Sequence, residues 1–422
     1  MNKKRLLSTG IVLAILCALV YFQVQHWRSF DWARFRQASR VEPLHIIVAI
    51  AIIYITYVLR ALRWRIFLEP VCKTKTARLV SPTFVGFTGL ALLGRPGEFI
   101  RPYLIGVKEN VPFSSQLGVW TIERIFDIGA FTVLMTIDVF ASAQLRTNPY
   151  IGKFRAAAVA LCALVAFMSV VALVIQKRGH AFASFLHRLT SRISASLAHH
   201  VDQKVRAFGQ GLNTIAGGKA FLQLVAVSLL MWFLIALAYR EVAHAYPRDP
   251  AQNASAPVLD VETAQLAGMP ESAGQELTPE VIDEITARVQ SKGFTVQQRA
   301  DGVWLMQKAR RINKIGSRPH LSTLDVSRVL LLMAFSMVGS IVQLPAVGGG
   351  SQLAVISALQ LIYGIPPEMA VSCGMLLWLV TFMSVIPVGL AFARREHLSL
   401  KKLSEQSSHE EEEPAVPTAP RP

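Results

Sequence analysis

Two short stretches of the chain place ionisable residues where they could do chemistry. In "LALLGRPGEFIRPYLIG", residues 90–106, Arg95, Glu98 and Arg101 stand beside Pro96 and Gly97 inside an apolar run. In "GVWTIERIFDIGAFTVLM", residues 118–135, Glu123, Arg124 and Asp127 are set into another. A charge at the bilayer centre costs ~3 kcal/mol on insertion scales, so three of them facing lipid would cost roughly 9 kcal/mol. A few leucines at about 0.5 kcal/mol each do not offset that. The charges must face protein or a wet cavity, and the Pro-Gly break agrees, since irregular backbone at depth survives where it lines a cavity.

On a half-helix starting near Pro96, Glu98 and Arg101 are three apart and share a face. Arg95 and Arg101 could then hold an anionic headgroup, helped by free N–H groups at the half-helix start, with Glu98 orienting them or taking an amine. The competing reading is a self-contained Glu-Arg pair that closes a loop at the cytoplasmic boundary. Glu123 and Asp127 are i, i+4 with Arg124 beside them, ~10–16 Å along a helix counted from residue 116. They read equally as a lipid site or as an internal salt-bridge cluster bracing that helix.

A third stretch, "QLPAVGGGSQLAVISALQLIYGIPP", offers Gly348, Gly349, Gly350 and Gln352 after Pro345, without a charge. It reads as a second headgroup contact through freed N–H groups, or as a hinge. It is not a phosphate loop, because no Lys follows and the G-x-G-x-x-G spacing is absent.

The elements that must position these residues are membrane spans. The chain has 422 residues, 52% hydrophobic and only 17% charged, too apolar for an ordinary soluble protein. Full spans are predicted over 6–24, 44–64, 116–141, 154–176, 220–243 and 369–393. The "MNKKRLLSTG" start leads into an uncleaved first helix rather than a signal peptide, because no A-x-A-like site follows. Segments 79–106 and 327–365 are apolar but broken by Gly and Pro. The net charge of +16 lies in basic flanks of the apolar runs, which points to orientation and anionic lipid rather than nucleic acid.

Basic residues at Lys3–Arg5, at Arg60, Arg63, Arg65, Lys73, Lys75 and Arg78, over 177–206, and at Arg394–Lys402 are all placed inside by the positive-inside rule. Both termini are then cytoplasmic. The segment 25–43, outside on this scheme, carries Arg28, Arg34, Arg36 and Arg40 among Trp and Phe, and reads as a helix in the interface. Parity requires 79–106 to enter and leave on the inner face and 327–365 on the outer one. Two broken segments in corresponding, opposed positions are the pattern of an inverted repeat.

Between the halves, 244–326 is a polar insertion. "TPEVIDEITARVQSKG" predicts a helix with Thr278 as N-cap and Gly293 as stop. "FTVQQRADGVWLMQ" predicts a hairpin turning at Asp301-Gly302. Together they make a small extracytoplasmic α-β-β unit, reached through a disordered stretch near "PRDPAQNASAPV". The acidic, proline-rich tail over 396–422 reads as disordered. The four cysteines are scattered, and His187, His199 and His200 have no partner at ligand spacing, so no disulfide, metal site or cofactor is expected.

With these residues in view, the chain resembles the family of lysylphosphatidylglycerol synthase transmembrane regions, also described as flippase-like or AglD-like membrane proteins. "DWARF", "GRPGEFIRPYLIG", "IERIFDIGAF" and "LPAVGGGSQLAV" with "YGIPPEMAV" carry the resemblance. It implies a helical domain that moves a lipid or lipid-linked sugar between leaflets. The family's second break usually reads P-G-G-x-G-x-x-E, whereas Gln352 stands near the usual glutamate here. An arginine common in the last span has no counterpart around "LLWLVTFMSV". These 422 residues contain no large soluble aminoacyl-transfer domain, so lysyl-lipid synthesis itself is not expected.

The expectation is therefore an all-α polytopic protein of the cytoplasmic membrane. It has about six full transmembrane helices and two re-entrant segments, divided as 1–243, the insertion 244–326, 327–395 and the tail. Its partners are membrane lipids, anionic or sugar-linked. The site residues are Arg95, Glu98, Arg101, Glu123, Arg124, Asp127, Gly348, Gly349, Gly350 and Gln352. The rivals are a membrane glycosyl- or phospho-lipid transferase, and a structural or regulatory protein that binds an envelope partner through 250–320.

Overall fold

The computed structural model describes residues 33, 35–36, 39–142, 151–191, 217–247, 257–300, 302–316, 320–340 and 349–395. The span predicted over 6–24, nearly all of the interface helix, His199, His200, Pro345, Gly348, the linker near residue 250 and the tail lie outside these residues.

Helix α1 (Pro43–Leu68) starts on Pro43, whose fixed φ suits a first turn. It runs past the predicted end at residue 64, because Ile66, Phe67 and Leu68 still find apolar partners and are buried. Helix α2 (Thr76–Leu93) ends at Gly94, where φ is 71°. A 3₁₀ turn (Arg95–Phe99) and α3 (Ile100–Glu109) then bring the chain back along α2. A Cβ at Gly86 would overlap that of Arg101, and a Cβ at Gly97 would overlap the Gly89 carbonyl, so these two glycines permit the close return. The hairpin's open end is tied by Arg78, whose Nε donates to Glu109 at 2.9 Å and whose Nη2 donates to the Lys108 carbonyl at 3.1 Å.

Helices α4 (Phe113–Ala141), α5 (Ile151–Ser191) and α6 (Gly218–His244) follow. The second broken segment repeats the hairpin as α9 (Val326–Gly339) and α10 (Gly349–Leu361), with Gly339 against the Gly350 carbonyl. Its open end is closed by Tyr363, which donates to the Arg328 carbonyl at 2.8 Å. The two hairpins meet at their tips: Arg95 Nη2 donates to the Ser340 carbonyl at 2.5 Å.

The last segment is not one straight helix. α11 (Pro367–Trp378) passes through a π-helical turn, Leu379–Met383, into α12 (Val385–Arg395). The carbonyls loosened there are taken by Tyr57, which donates to Thr381 O at 3.1 Å, and by Tyr54, which donates to Ser384 O at 2.6 Å.

Five stretches are long and apolar enough to cross a bilayer: α1, α2, Ile151–Val171, α6 and Pro367–Arg395. Ile47, Ile55, Val159, Phe167, Leu222 and Leu230 stay exposed on them, as lipid-facing residues do. Two expectations change. Helix α4 has 29 residues but falls short in composition, because Glu123, Arg124, Asp127 and Asp138 put at least three charges into every bilayer-length stretch of it. Helix α2, expected as half of a re-entrant segment, is about 27 Å long and could cross alone before the chain returns. Helix α5 continues without a break into the basic stretch that begins at residue 177.

The insertion has its own core of Leu259, Ala264, Ile285, Val289, Val303, Leu305 and Ile315. It is larger than the α-β-β unit expected. Helix α7 (Val261–Ala267) precedes α8 (Pro279–Gln290), and the sheet is a three-stranded meander of β1 (Thr295–Arg299), β2 (Gly302–Gln307) and β3 (Arg310–Ile315). Strand β3 was hidden for two reasons. "RRINKI" is mostly polar, and its turn uses Lys308 and Ala309 at φ 50° and 61° instead of the Asn or Gly that announces such turns.

Candidate functional site

The charges of the two stretches converge, with two partners that sequence reasoning placed elsewhere. Glu123 and Asp127 lie one turn apart on α4, about 15 and 21 Å from its start. Both accept from Arg63 of α1, through Nη2 to Glu123 and Nη1 to Asp127, each at 2.7 Å. Arg63 is fully buried and also donates to Ser228 of α6 at 3.0 Å. Arg101, delivered by the return of α3, forms a close bidentate pair with Glu123. Arg124 reaches Asp127 at 3.1 Å and Glu123 at 3.4 Å. Asp127 also accepts from the Trp232 indole N–H at 3.3 Å and lies 3.8 Å from Arg60.

Aromatic faces stand in for water around the cations. Arg101 lies 4.3 Å from the ring centre of Trp64 and 5.2 Å from that of Phe87, Arg60 lies 4.9 Å from Phe87, and Arg124 lies 5.8 Å from Trp120.

Within the first break a Glu-Arg pair does form, between Glu98 and Arg95, while Arg101 takes a separate partner. Residues 95–99 wind as a tighter 3₁₀ turn, so Glu98 pairs backward with Arg95 at 2.9 Å while Arg101 turns to Glu123. Arg95 is half-exposed and reaches across to the second hairpin. Gly349, Gly350 and Gln352 lie at the start of α10, where Gly350 abuts Gly339.

Sequence reasoning missed Arg60, Arg63, Trp64, Phe87, Ser228 and Trp232. Arg60 and Arg63 looked like cytoplasmic flank. The signal against that was "WRIFL", apolar residues resuming after the arginines, with the two cations three apart on one face.

Five guanidiniums (Arg60, Arg63, Arg95, Arg101, Arg124) face three carboxylates (Glu98, Glu123, Asp127), an excess of two positive charges. The Nε–H groups of Arg60, Arg63 and Arg124 are buried with no hydrogen-bond partner among the described residues. A cleft of about 20 Å³ opens between Gly86, Phe87, Glu98, Arg101, Trp120 and Arg124. It has room for a water and none for a headgroup. The cluster therefore carries surplus positive charge beside a cleft that admits no headgroup as the helices stand.

The sequence profile of the lysylphosphatidylglycerol synthase transmembrane region matches residues 7–252, the part that carries the whole charge cluster. The match ends before the "LPAVGGGSQLAV" stretch on which the resemblance also leaned. Glycosyltransferase AglD of Haloferax volcanii is 30% identical over 86 residues, 20% of this chain and 14% of that protein. No solved structure matches the chain. The chain is a multi-pass helical membrane protein, and with more than half of its length matched it belongs to the family of the lysylphosphatidylglycerol synthase transmembrane region.

Proposed function

We propose that this protein passes an anionic lipid, a phospholipid or a lipid-linked sugar, between the leaflets of the cytoplasmic membrane. The buried cluster receives the headgroup's negative charge. The observation that carries this reading is the excess of arginine at a depth where unpaired charge is costly, with three guanidinium N–H groups left without acceptors. An anionic headgroup supplies both the charge and the acceptors. The two hairpins touching at Arg95 and Ser340 support a path that opens at their tips, since the small cleft lies beside the first of them. The basic flanks at Arg65–Arg78 and Arg394–Arg395 favour cytoplasmic ends for these helices and draw anionic lipid to them. On this reading the chain transports and does not catalyse; the name glycosyltransferase belongs to the archaeal relative.

The test is transbilayer movement of a fluorescent phosphatidylglycerol in liposomes holding the purified full chain, with Arg60→Ala and Arg101→Ala. Both variants should lose movement and retain less copurified anionic lipid. Undiminished movement in both would overturn the proposal. Sugar transfer to a lipid acceptor by the purified protein would establish the enzyme reading in its place.

A further inference from the structure

The last membrane segment touches both hairpins, one with each of its halves. Its first half, α11, lies on the second hairpin: a Cβ at Gly374 would overlap Ile356 of α10. Its second half, α12, lies on the first: a Cβ at Gly389 would overlap Thr88 Oγ1 and stand 2.8 Å from the Phe84 carbonyl. Phe392 and Ala393 of α12 pack with Val85 of α2 and Leu104 of α3, so both arms of that hairpin hold it. Helices this closely fitted shift as units rather than deform.

Between the halves, hydroxyl groups take over from the backbone ladder. The Ser384 N–H closes on the Leu379 carbonyl at 2.9 Å, the five-residue reach of a π turn. Thr381 and Ser384 donate their hydroxyls back to the carbonyls of Leu377 and Val380 at 2.7 and 2.5 Å, a pattern that bends helices. Tyr57 and Tyr54 hold the carbonyls of Thr381 and Ser384, and Thr88 reaches that of Val385 at 3.3 Å. Pro387 lies in the first turn of α12, where its missing N–H is not needed, so a new ladder starts there. A hydroxyl rotates to suit its acceptor, whereas a helical N–H is fixed by the backbone, so this stretch can change its bend without losing its hydrogen bonds.

We propose that residues 379–384 are the hinge on which the two hairpins part, and that Tyr54 and Tyr57 are the latch that holds it shut. Parting the tips at Arg95 and Ser340 carries α12 with the first hairpin and leaves α11 with the second, so the motion is taken up in the turn between them. Both phenols come from α1, which belongs to neither hairpin. The inference rests on the transport reading only for what passes between the parted hairpins, and the hinge is tested through motion alone.

The test uses the full chain, without its native cysteines, in nanodiscs and spin-labelled in pairs. Leu93→Cys with Val338→Cys reports across the tips. Val107→Cys with Leu390→Cys reports within the first unit, and Leu361→Cys with Met375→Cys within the second; all six side chains are exposed. Each pair is compared with and without Tyr54→Phe plus Tyr57→Phe, which removes both hydroxyls and keeps the rings on Phe84 and Phe87. The pair across the tips should gain a longer distance whose population rises several-fold, with the single Phe variants in between, while the pairs within each unit stay unchanged. Amides of 379–385 should exchange several-fold faster in the same variant. Unchanged distances across the tips together with unchanged exchange would overturn the latch. Equal broadening of the pairs within the units would show general loosening and overturn the hinge. If the distances behave as expected while phosphatidylglycerol does not move, the hinge stands and the transport reading falls.

Discussion

Glu123→Gln separates a stabilising cluster from a waiting anion site. Glu123 is fully buried and accepts from Arg63 at 2.7 Å, from Arg101 in the bidentate pair, and from Arg124 at 3.4 Å. The amide keeps the shape but removes the charge and turns an NH₂ toward a guanidinium. The local excess rises from two positive charges to three. Breaking a buried ion pair from one side costs about 3–5 kcal/mol, because the partner remains charged and unpaired. Thermal unfolding in a neutral detergent should register a loss on that scale.

The second half of the experiment adds phosphatidylglycerol to the detergent. A ligand that binds only the folded state stabilises by about 2.7 kcal/mol at one hundred times its Kd. If a headgroup phosphate replaces the missing carboxylate, the variant should gain more from the lipid than wild type does, and its midpoint should move back toward the wild-type value. A neutral lipid of the same chains should not do this. Equal stabilisation of both proteins by the anionic lipid would refute the reasoning, because it would show that the arginines are not accessible to a headgroup.

Further outcomes follow from the same geometry. Gly86→Val puts side-chain atoms where Arg101 stands, with the Arg101 Cα only 2.9 Å from the new Cβ, so α3 must shift. A stability loss of about 1–3 kcal/mol is expected, together with lower retention of anionic lipid on mass spectrometry. Arg95→Cys with Ser340→Cys, in a chain lacking its other cysteines, should crosslink the hairpin tips and stop lipid movement until a reductant is added; free movement in the oxidised protein would show that the tips need not part. Burial pushes the Asp260 carboxyl above its ordinary value. Its folded pKa exceeds the unfolded one, so its contribution is complete below the unfolded value and is lost as pH rises through the folded value. Hydrogen exchange of the insertion should therefore speed up as pH rises from about 4, after correction for intrinsic exchange, and Asp260→Asn should flatten that dependence.

What was legible in the sequence was what a single stretch of chain encodes. Pro96 and Gly97 announce a break, and Glu123 with Asp127 share a face because 3.6 residues make a turn. Thr278, Pro279 and Gly293 bound α8 by local chemistry, and Thr278 Oγ1 does accept from Val281 N. What stayed hidden depends on pairing across the chain. Arg63 meets Glu123 over 60 positions; its i, i+3 spacing from Arg60 marks a shared face that the exposed Arg65 lies off, but no local feature names the partner. The partner of Arg101 is chosen by the return of α3 over Gly86 and not by its neighbours in sequence. The π turn at Leu379–Met383 is likewise invisible locally, since it is held by Tyr54 and Tyr57 from more than 320 positions away.

The cluster itself argues against a purely structural role. An apolar set of similar volume would pack α1, α4 and α6 as well or better, because desolvation takes back most of what a buried ion pair returns. A bracing role would also balance its charges, as Arg78 and Glu109 do at the hairpin's open end. Here the arginines outnumber their partners, and three buried Nε–H groups point at no acceptor among the described residues. The surplus is mounted on both sides of a foldable joint: Arg60, Arg63 and Arg124 on long helices, Arg101 and Arg95 on the short returning arm. On the transport reading, moving that arm would change which cations are satisfied, so an arriving anion and the opening of the hairpin would be coupled through the same side chains. The proposed lipid carrier needs such a coupling, whereas a static brace would not.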